Sequence, residues 1–466
     1  MKSVKKAGAW ILILIVLTIT VLGYTNTIFS DIDNDGDIDL FLEHLIENKN
    51  TGTSFVRLNA TDGIGNIVGV TQAYFIDTSD PPDGLDELLF IMREGRVDFL
   101  YRNNFDKTFT NITGTALGKN LTGVANSPKA AVFADFDKDN VKDCLVNGVF
   151  LLSNGTGFDS VNGTDIINKT GLANIPRMDQ FIPIDLNIDN NLDIIGVTES
   201  KEVKVYLNLG DNNADGIPEF YDATYDLQLD AVTQANFLAT GNISYGLAVN
   251  RTLNGFYPFN GKTPPFVEDA WYDMYVVRNQ TQNLLLIQTY PEIPEQYSSA
   301  RFYLPTFEDL SNYSTNVNAI TNGTAAIITD FDNNTGADIL YAGNSSGTKI
   351  MLRNGSSWKL DFTTGASLSV NPKIIQAADL NNDGFLDLAA IESEIIRINS
   401  QGSGSSHFNI FEAGAGWSTS TENLVFTEAT SGELGIPFSG YGTLYGINER
   451  LSGNVCLLYT SPSPRD

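Results

Sequence analysis

Histidine and cysteine are nearly missing from this chain, with two of each in 466 residues. His44 and His407 lie far apart, and no Gly-x-Ser-x-Gly, His-Glu-x-x-His or phosphate-cradling glycine loop accompanies them. Triads assemble in space, so sequence distance alone does not exclude one. Even so, His44 reads as an outward strand residue just past an acidic loop, and His407 sits in a Gly/Ser-rich turn. The expectation is a protein that is not an enzyme. The cysteines are Cys144 and Cys456, and the second falls in a terminal stretch that reads as foreign to the protein. Cys144 alone cannot close an internal disulfide, and it reads as a small buried apolar residue. Positive charge is scarce too, at 28 Lys and Arg against 56 Asp and Glu, a formal balance of −28. Nucleic acid needs clustered Lys and Arg to neutralise phosphates, so it is excluded as a partner. Long apolar runs are lacking from residue 24 to 455, which excludes a spanning helix there.

What the chain does have is acidic loops of one design, Asp-x-Asp/Asn-x-Asp/Asn-x-x-x-Asp. Five copies run from Asp31 to Asp39, Asp135 to Asp143, Asp185 to Asp193, Asp330 to Asp338 and Asp379 to Asp387. Oxygen side chains at every second position converge if the backbone curls around one point. A hard cation such as Ca²⁺, which takes six to eight oxygens at roughly 2.3–2.6 Å, suits that arrangement. An EF-hand is argued against, because its twelfth position needs a Glu. Here those positions hold Leu42, Val146, Gly196, Tyr341 and Ala390. The flanks, such as Ala131-Val-Phe-Ala and Ile194-Ile-Gly-Val, are short, apolar and bounded by turn residues. They predict strands, with each loop as the turn of a hairpin.

A second cue recurs further along several of these units. Leu152-Ser-Asn-Gly and Leu352-Arg-Asn-Gly place Asn-Gly between apolar stretches, the strongest short-range hairpin signal. Tyr101-Arg-Asn-Asn before Phe109, and Tyr206-Leu-Asn-Leu-Gly before Phe220, are looser versions. One unit therefore reads as four antiparallel strands in about fifty residues, the size of a propeller blade. First Asp to first Asp, the chain steps 48, 56 and 50 residues from 31 through a degenerate copy near 79 to 135 and 185, and 49 from 330 to 379. The gap from 185 to 330 spans about three such units. The stretches 234–242 and 271–279 stand where two loop-less blades would lie. Roughly eight units result, which leaves seven and eight blades open.

With these loops and this period, the chain resembles the FG-GAP/VCBS repeats of integrin-α-type β-propellers over roughly residues 25 to 450. The resemblance implies an all-β propeller of four-stranded antiparallel blades, seven or eight in number, with Ca²⁺-binding loops between strands. It implies side-chain ligands at Asp31, Asp33, Asp35 and Asp39, with the carbonyl of Asp37 completing the set. The corresponding sets are Asp135, Asp137, Asp139, Asp143; Asp185, Asn187, Asp189, Asp193; Asp330, Asp332, Asn334, Asp338; and Asp379, Asn381, Asp383, Asp387. Three copies replace the central glycine with Asn140, Asn190 or Thr335; asparagine adopts left-handed backbone more readily than threonine. The copy near 83 keeps only Asp83, Gly84 and Glu87 in register. A further acidic segment, with Asp211, Asn213, Asp215 and Glu219, falls out of phase in an outer hairpin. It reads equally as an inserted Ca²⁺ loop or as a long polar turn. The competing reading of every copy is a tight Asx-turn without metal.

The functional expectation is a secreted or cell-surface Ca²⁺-binding module for adhesion or recognition, with an extracellular protein or glycan as ligand. The alternative is a polysaccharide-binding or carbohydrate-active protein on the same ring. Tyr257, Phe259, Trp271, Tyr272 and Tyr275 could stack on sugars, or pack between blades. A purely structural cell-envelope component is a third reading. Lys2, Lys5 and Lys6 before an uncharged run from Ala7 to Gly23 form a signal peptide, or an N-terminal anchor if uncleaved. Fourteen Asn-x-Ser/Thr sequons, among them Asn59, Asn111 and Asn250, suit a glycosylated surface protein. Residues 456–466 match the translation of a transposase sequencing adapter. The expectation is therefore a propeller over 24–455 cut before its native end, with membrane contact only through the leader or a lost C-terminal segment.

Overall fold

The computed structural model describes residues between Phe29 and Glu428, apart from connecting segments such as 77–84, 116–129, 153–168, 242–249, 258–271, 290–305, 312–322, 332–336, 354–361, 379–385, 399–407 and 415–424 and shorter stretches such as 36–37. The leader, the terminal segment 456–466, His44 and His407 lie outside the described residues. No helix among those described is long and apolar enough to cross a membrane.

The chain is all-β, built from small open antiparallel sheets whose strands follow one another in chain order. The first sheet comprises Phe29–Ser30, Asp39–Phe41, Leu45–Asn48 and Phe55–Arg57. The second comprises Ile67–Ile76, Glu87–Met92, Phe99–Asn103 and Phe109–Asn111. Three strands of the third are described: Ala131–Ala134, Asp143–Val146 and Val149–Leu151. The fourth holds Met178–Ile184, Asp193–Thr198, Val203–Asn208 and Phe220–Asp222. The fifth holds Ala235–Gly241, Asp273–Arg278, Leu284–Thr289 and Thr306–Asp309. The sixth holds Ala325–Thr329, Asp338–Gly343, Gly347–Arg353 and Phe362–Leu368. The seventh holds Ile374–Ala378, Asp387–Ile391, Phe408–Gly414 and Val425–Glu428.

All five acidic loops join the first and second strands of their sheets, as expected. The Asn-containing turns at 103–109, 208–220 and 353–362 join third and fourth strands. Second strands such as Asp193–Thr198 and Asp338–Gly343 are buried along their whole length. Continuous apolar runs of that kind arise when both faces of a sheet are covered. Here the covers are the neighbouring sheets. Leu89, Ile91 and Leu100 of the second sheet share a core with Ala131, Cys144 and Val146 of the third. Phe136, Leu145 and Phe150 pack with Phe181, Ile194 and Tyr206 across the next interface. Ile195 and Val205 meet Leu238 and Val276, and Tyr275 and Ile287 meet Ile328 and Tyr341. Cys144 is buried and free, as its place in the loop repeat predicts.

First strands of successive sheets are stitched by side chains. Gln180 donates from Nε2 to the Leu238 carbonyl at 2.7 Å and accepts the Leu238 N–H at 2.8 Å. The Ala131 N–H donates to the Tyr74 hydroxyl at 3.0 Å. Ile396–Ile398, in the chain of the seventh unit, pairs antiparallel with Ile67–Val70 of the second sheet. Close approach also fixes Gly196, where an added Cβ would stand 2.1 Å from the Gln180 carbonyl oxygen. Backbone on both sides cannot give way cheaply, so Gly196→Ala should cost about 1–3 kcal/mol in urea unfolding.

One expectation is corrected. The stretches read as separate blades near 234–242 and 271–279 are first and second strands of one sheet, with Gly241 opposite Asp273. The long gap arises because the hairpin Asn250–Thr252 with Gly255–Tyr257 is inserted between them. Among the described residues there are seven such sheets in series and one two-stranded hairpin. Of the aromatic residues read as stacking on sugars or packing between blades, Tyr275 packs: it is fully buried, its ring 6.0 Å from Tyr341 and its hydroxyl accepting from Asn283. Tyr272 packs half-buried against the core. Phe259 and Trp271, and the side chain of Tyr257, lie outside the description.

Candidate metal centre

Each described loop curls on its first Asp. In the third sheet, Asp135 accepts the N–H groups of Asp139 and Asn140 at 3.1 and 3.0 Å. In the fourth, Asp185 accepts those of Asp189 and Asn190 at 3.0 and 2.9 Å. Asp31 accepts the Asp35 N–H at 3.0 Å. The curl requires left-handed backbone at two places. At the sixth position Asn140 and Asn190 take φ of 70° and 67°, in the role expected of glycine. The fourth position is also left-handed, at Asn34, Lys138 and Ile188. A β-branched residue is strained there, so Ile188 is held at a local cost.

Three carboxylates converge in two loops. Asp31, Asp33 and Asp35 each offer an oxygen within 4.8 Å of the others, and so do Asp135, Asp137 and Asp143. Asn187 and Asp189 of the fourth sheet stand together, with Asn187 Nδ2 donating to Asp189 at 3.1 Å. Burial, with the charges of Asp139 and Asp135 added, pushes the Asp137 carboxyl up to about 6. Burial likewise raises Asp185, with Asp189 contributing. Asp33 has a side chain only 5 % exposed, and its Oδ1 is buried with no hydrogen-bond partner. A buried carboxylate oxygen without a donor is costly, and a cation within the loop would satisfy it. Asp330 is partly buried at its loop mouth, while Asp37, Asp332, Asn334, Asp379, Asn381 and Asp383 lie outside the described residues.

The ninth position has a second role. Asp39, Asp143, Asp193, Asp338 and Asp387 are at most 1 % exposed and start the second strand of their sheets. One oxygen accepts the N–H of loop position two, from Ile32, Phe136, Leu186 and Phe331, at 2.8–2.9 Å. The other oxygen accepts an N–H at the end of the third strand: Asn208 for Asp193 and Arg353 for Asp338, both at 2.7 Å. Burial pushes Asp193 well above the usual carboxylate range. Asp273 takes the same post in the fifth sheet, where no oxygen ladder precedes it, accepting the Gln288 N–H at 2.8 Å. Glu87 occupies it in the second sheet. The acid is therefore a strand clamp in sheets with and without an acidic loop.

The clamps are linked from sheet to sheet. Asn103, Asn208 and Gln288, at or near the ends of third strands, donate side-chain amide hydrogens to Ile32, Phe136 and Leu186, the second loop residues of other sheets. These amides, and Asp273, were not anticipated from sequence. Asp273 was detectable, since Asp273-Met-Tyr-Val-Val repeats the acid-then-apolar pattern of Asp193-Ile-Ile-Gly-Val.

The out-of-phase segment lies in the outer hairpin of the fourth sheet. Asp211 accepts from Asp215 and Gly216 at 3.1 and 2.9 Å, and these backbone bonds, Gly216 first, lower its pKa. Asp215 pairs with Lys169 at 2.9 Å, while Glu219 accepts from Asn212 and Asn213. No buried ninth acid backs this loop, and Asn213 donates an Nδ2 hydrogen to Glu219.

The chain matches the FG-GAP-like repeat family over residues 330–390. No curated protein matches it in sequence. Among solved structures, the exotype rhamnogalacturonan lyase YesX is 12% identical with a TM-score of 0.37, covering 80% of this chain and 61% of its own. The V. cholerae biofilm matrix protein Bap1 is 9% identical with a TM-score of 0.32, covering 79% and 74%. The Bacillus licheniformis rhamnogalacturonan lyase PL11 is 11% identical with a TM-score of 0.31, covering 77% and 75%. The chain thus spans 61% of the length of the first of these.

Proposed function

We propose that this chain, which carries an FG-GAP-like repeat at residues 330–390, is a seven-bladed Ca²⁺-binding β-propeller that serves outside the cell as an adhesion or recognition module. The observation that carries the reading is the recurrence of one curled three-carboxylate loop at the same place in separate sheets. Serial packing of the second to sixth sheets through shared cores supports the ring, as does the place of the acidic loops on connections from first to second strand. The loops would hold Ca²⁺ through Asp31, Asp33 and Asp35, through Asp135, Asp137 and Asp143, and through their counterparts at 185, 330 and 379. The ion would supply positive charge to carboxylates that otherwise repel each other. It would thereby stiffen the rim on which a ligand could dock.

Immobilised protein should retain a partner cell or extracellular ligand in millimolar Ca²⁺ and release it on chelation. Retention that ignores the chelator would sink the reading. A glycan ligand is favoured by one surface feature of the fourth sheet. Tyr225 and Tyr221 are exposed, at 77% and 38%, beside Asp222 and Asp226, and Tyr221 donates its hydroxyl proton to Asp226. Exposed rings flanked by carboxylates can stack on a sugar and accept from its hydroxyls. On this second reading, Tyr225→Ala abolishes retention of a polysaccharide that the parent protein binds, and an unchanged glycan profile refutes it.

A further inference from the structure

The loop at Asp31–Asp39 differs from those at 135 and 185 in having a cation of its own. Lys107 projects from the outer hairpin of the second sheet and places Nζ 2.6 Å from Asp33 Oδ2. The same ammonium pairs with Glu47, a buried residue on the third strand of the first sheet. Burial pulls the Lys107 pKa down, but the hydrogen bonds to Asp33 and Glu47 outweigh it and leave the group firmly charged. The backbone helps to aim it, since Phe105 and Lys107 both take left-handed φ, 68° and 66°. Among the described residues no lysine or arginine pairs with Asp135, Asp137, Asp185 or Asp189.

Lys107 satisfies one oxygen of Asp33 and leaves the other, Oδ1, buried without a donor. An ammonium is a compact point charge with three donors, and it cannot wrap the converging set Asp31, Asp33 and Asp35 as a divalent ion would. Two cations a few ångströms apart in a half-buried pocket repel strongly. Glu47 offers Lys107 a partner to keep when it leaves Asp33.

We propose that Lys107 is the resident counter-ion of the first loop and that a divalent cation binds there only by displacing it onto Glu47. This inference rests on the Ca²⁺ reading of the loops. It makes the first loop a weaker site than those at 135 and 185, filled after them, and ties its filling to a movement of the Lys107 side chain.

The test is Ca²⁺ titration calorimetry on the full chain, comparing the parent with Lys107→Gln and Lys107→Arg. Lys107→Gln keeps hydrogen-bond donors to Glu47 and removes the competing charge, so one class of site should tighten by at least tenfold. Lys107→Arg keeps the charge and should leave that class weak. Adding Asp33→Asn to Lys107→Gln should abolish the tightened class, which assigns it to this loop. Without metal, Lys107→Gln should lower the unfolding midpoint, and Ca²⁺ should reverse that order. If the parent binds Ca²⁺ and Lys107→Gln changes no affinity, Lys107 is a structural ion pair and the inference is overturned. If parent and variants alike bind none, the metal reading of the loops falls, and this inference with it.

Discussion

Replacing Asp193 by alanine should destabilise the protein by roughly 3–5 kcal/mol, the largest loss expected from a single side chain in these loops. Its two oxygens accept the N–H groups of Leu186 and Asn208 at 2.8 and 2.7 Å, and the residue is fully buried. Alanine would leave both donors orphaned away from water, each costing about 1–3 kcal/mol. It would also cut the path that joins the fourth sheet to its neighbours, since Asn208 donates to Phe136 and the Leu186 carbonyl accepts from Gln288. Asp193→Asn should fall between parent and alanine, because it keeps one acceptor and turns an amide donor toward the other N–H. The companion measurement is Asp273→Ala in the fifth sheet, which accepts the Gln288 N–H without a recognisable acidic loop before it. A loss of similar size there, unchanged by Ca²⁺, would identify the clamp as independent of metal. Urea unfolding decides the matter, and a change under about 1 kcal/mol for Asp193→Ala would overturn the clamp.

That the ninth Asp clamps strands, besides offering an oxygen to the loop, was not legible in the sequence, where it looks like one more oxygen. What could be read was local. Alternating oxygens in a tight turn, flanked by Ile194-Ile-Gly-Val or Ala131-Val-Phe-Ala, fixed the hairpins and their places in five sheets. Asn140 and Asn190 could be assigned to left-handed backbone because few other residues tolerate it. The buried fate of Cys144 followed from its alignment with Ile194 and Leu388. What failed was non-local. The strands at 235–241 and 273–278 pair with each other across an inserted hairpin, and spacing cannot tell a long insertion from an extra unit. Lys107 meets Glu47 sixty positions away, and Asn208 meets Phe136 seventy-two away. Such contacts depend on which sheet packs on which, and neither spacing nor composition reports that. Ile188 is a different case: a β-branched residue at a left-handed position runs against local preference, so only the structure reveals it.

Calcium should raise the thermal midpoint of the full chain substantially at pH 7.5, and far less at pH 5. Each occupied site contributes about 2.7 kcal/mol when free Ca²⁺ exceeds its dissociation constant a hundredfold. Several loops acting together would therefore exceed any single substitution. The pH dependence follows from crowding in the metal-free loop. Burial and the neighbouring Asp139 and Asp135 push Asp137 from 3.8 up to about 6. A carboxyl with a raised folded pKa favours the folded state when protonated, so metal-free stability declines as pH climbs from about 4 through about 6. Calcium binds the ionised loop, so its contribution is full above that range and fades as Asp137 takes up its proton below it. The two slopes are opposite in sign, which separates specific binding from a general salt effect. Mg²⁺, which demands a smaller octahedral shell and sheds water reluctantly, should stabilise less at equal concentration. Asp137→Asn should remove one site's share of the calcium shift and flatten the metal-free decline with pH. Scanning calorimetry at both pH values, with Ca²⁺ and with chelator, reads all of this. Equal midpoints with and without Ca²⁺ at pH 7.5 would return the loops to Asx-turns, in which the first Asp of each loop serves only to hold the backbone N–H groups it already accepts.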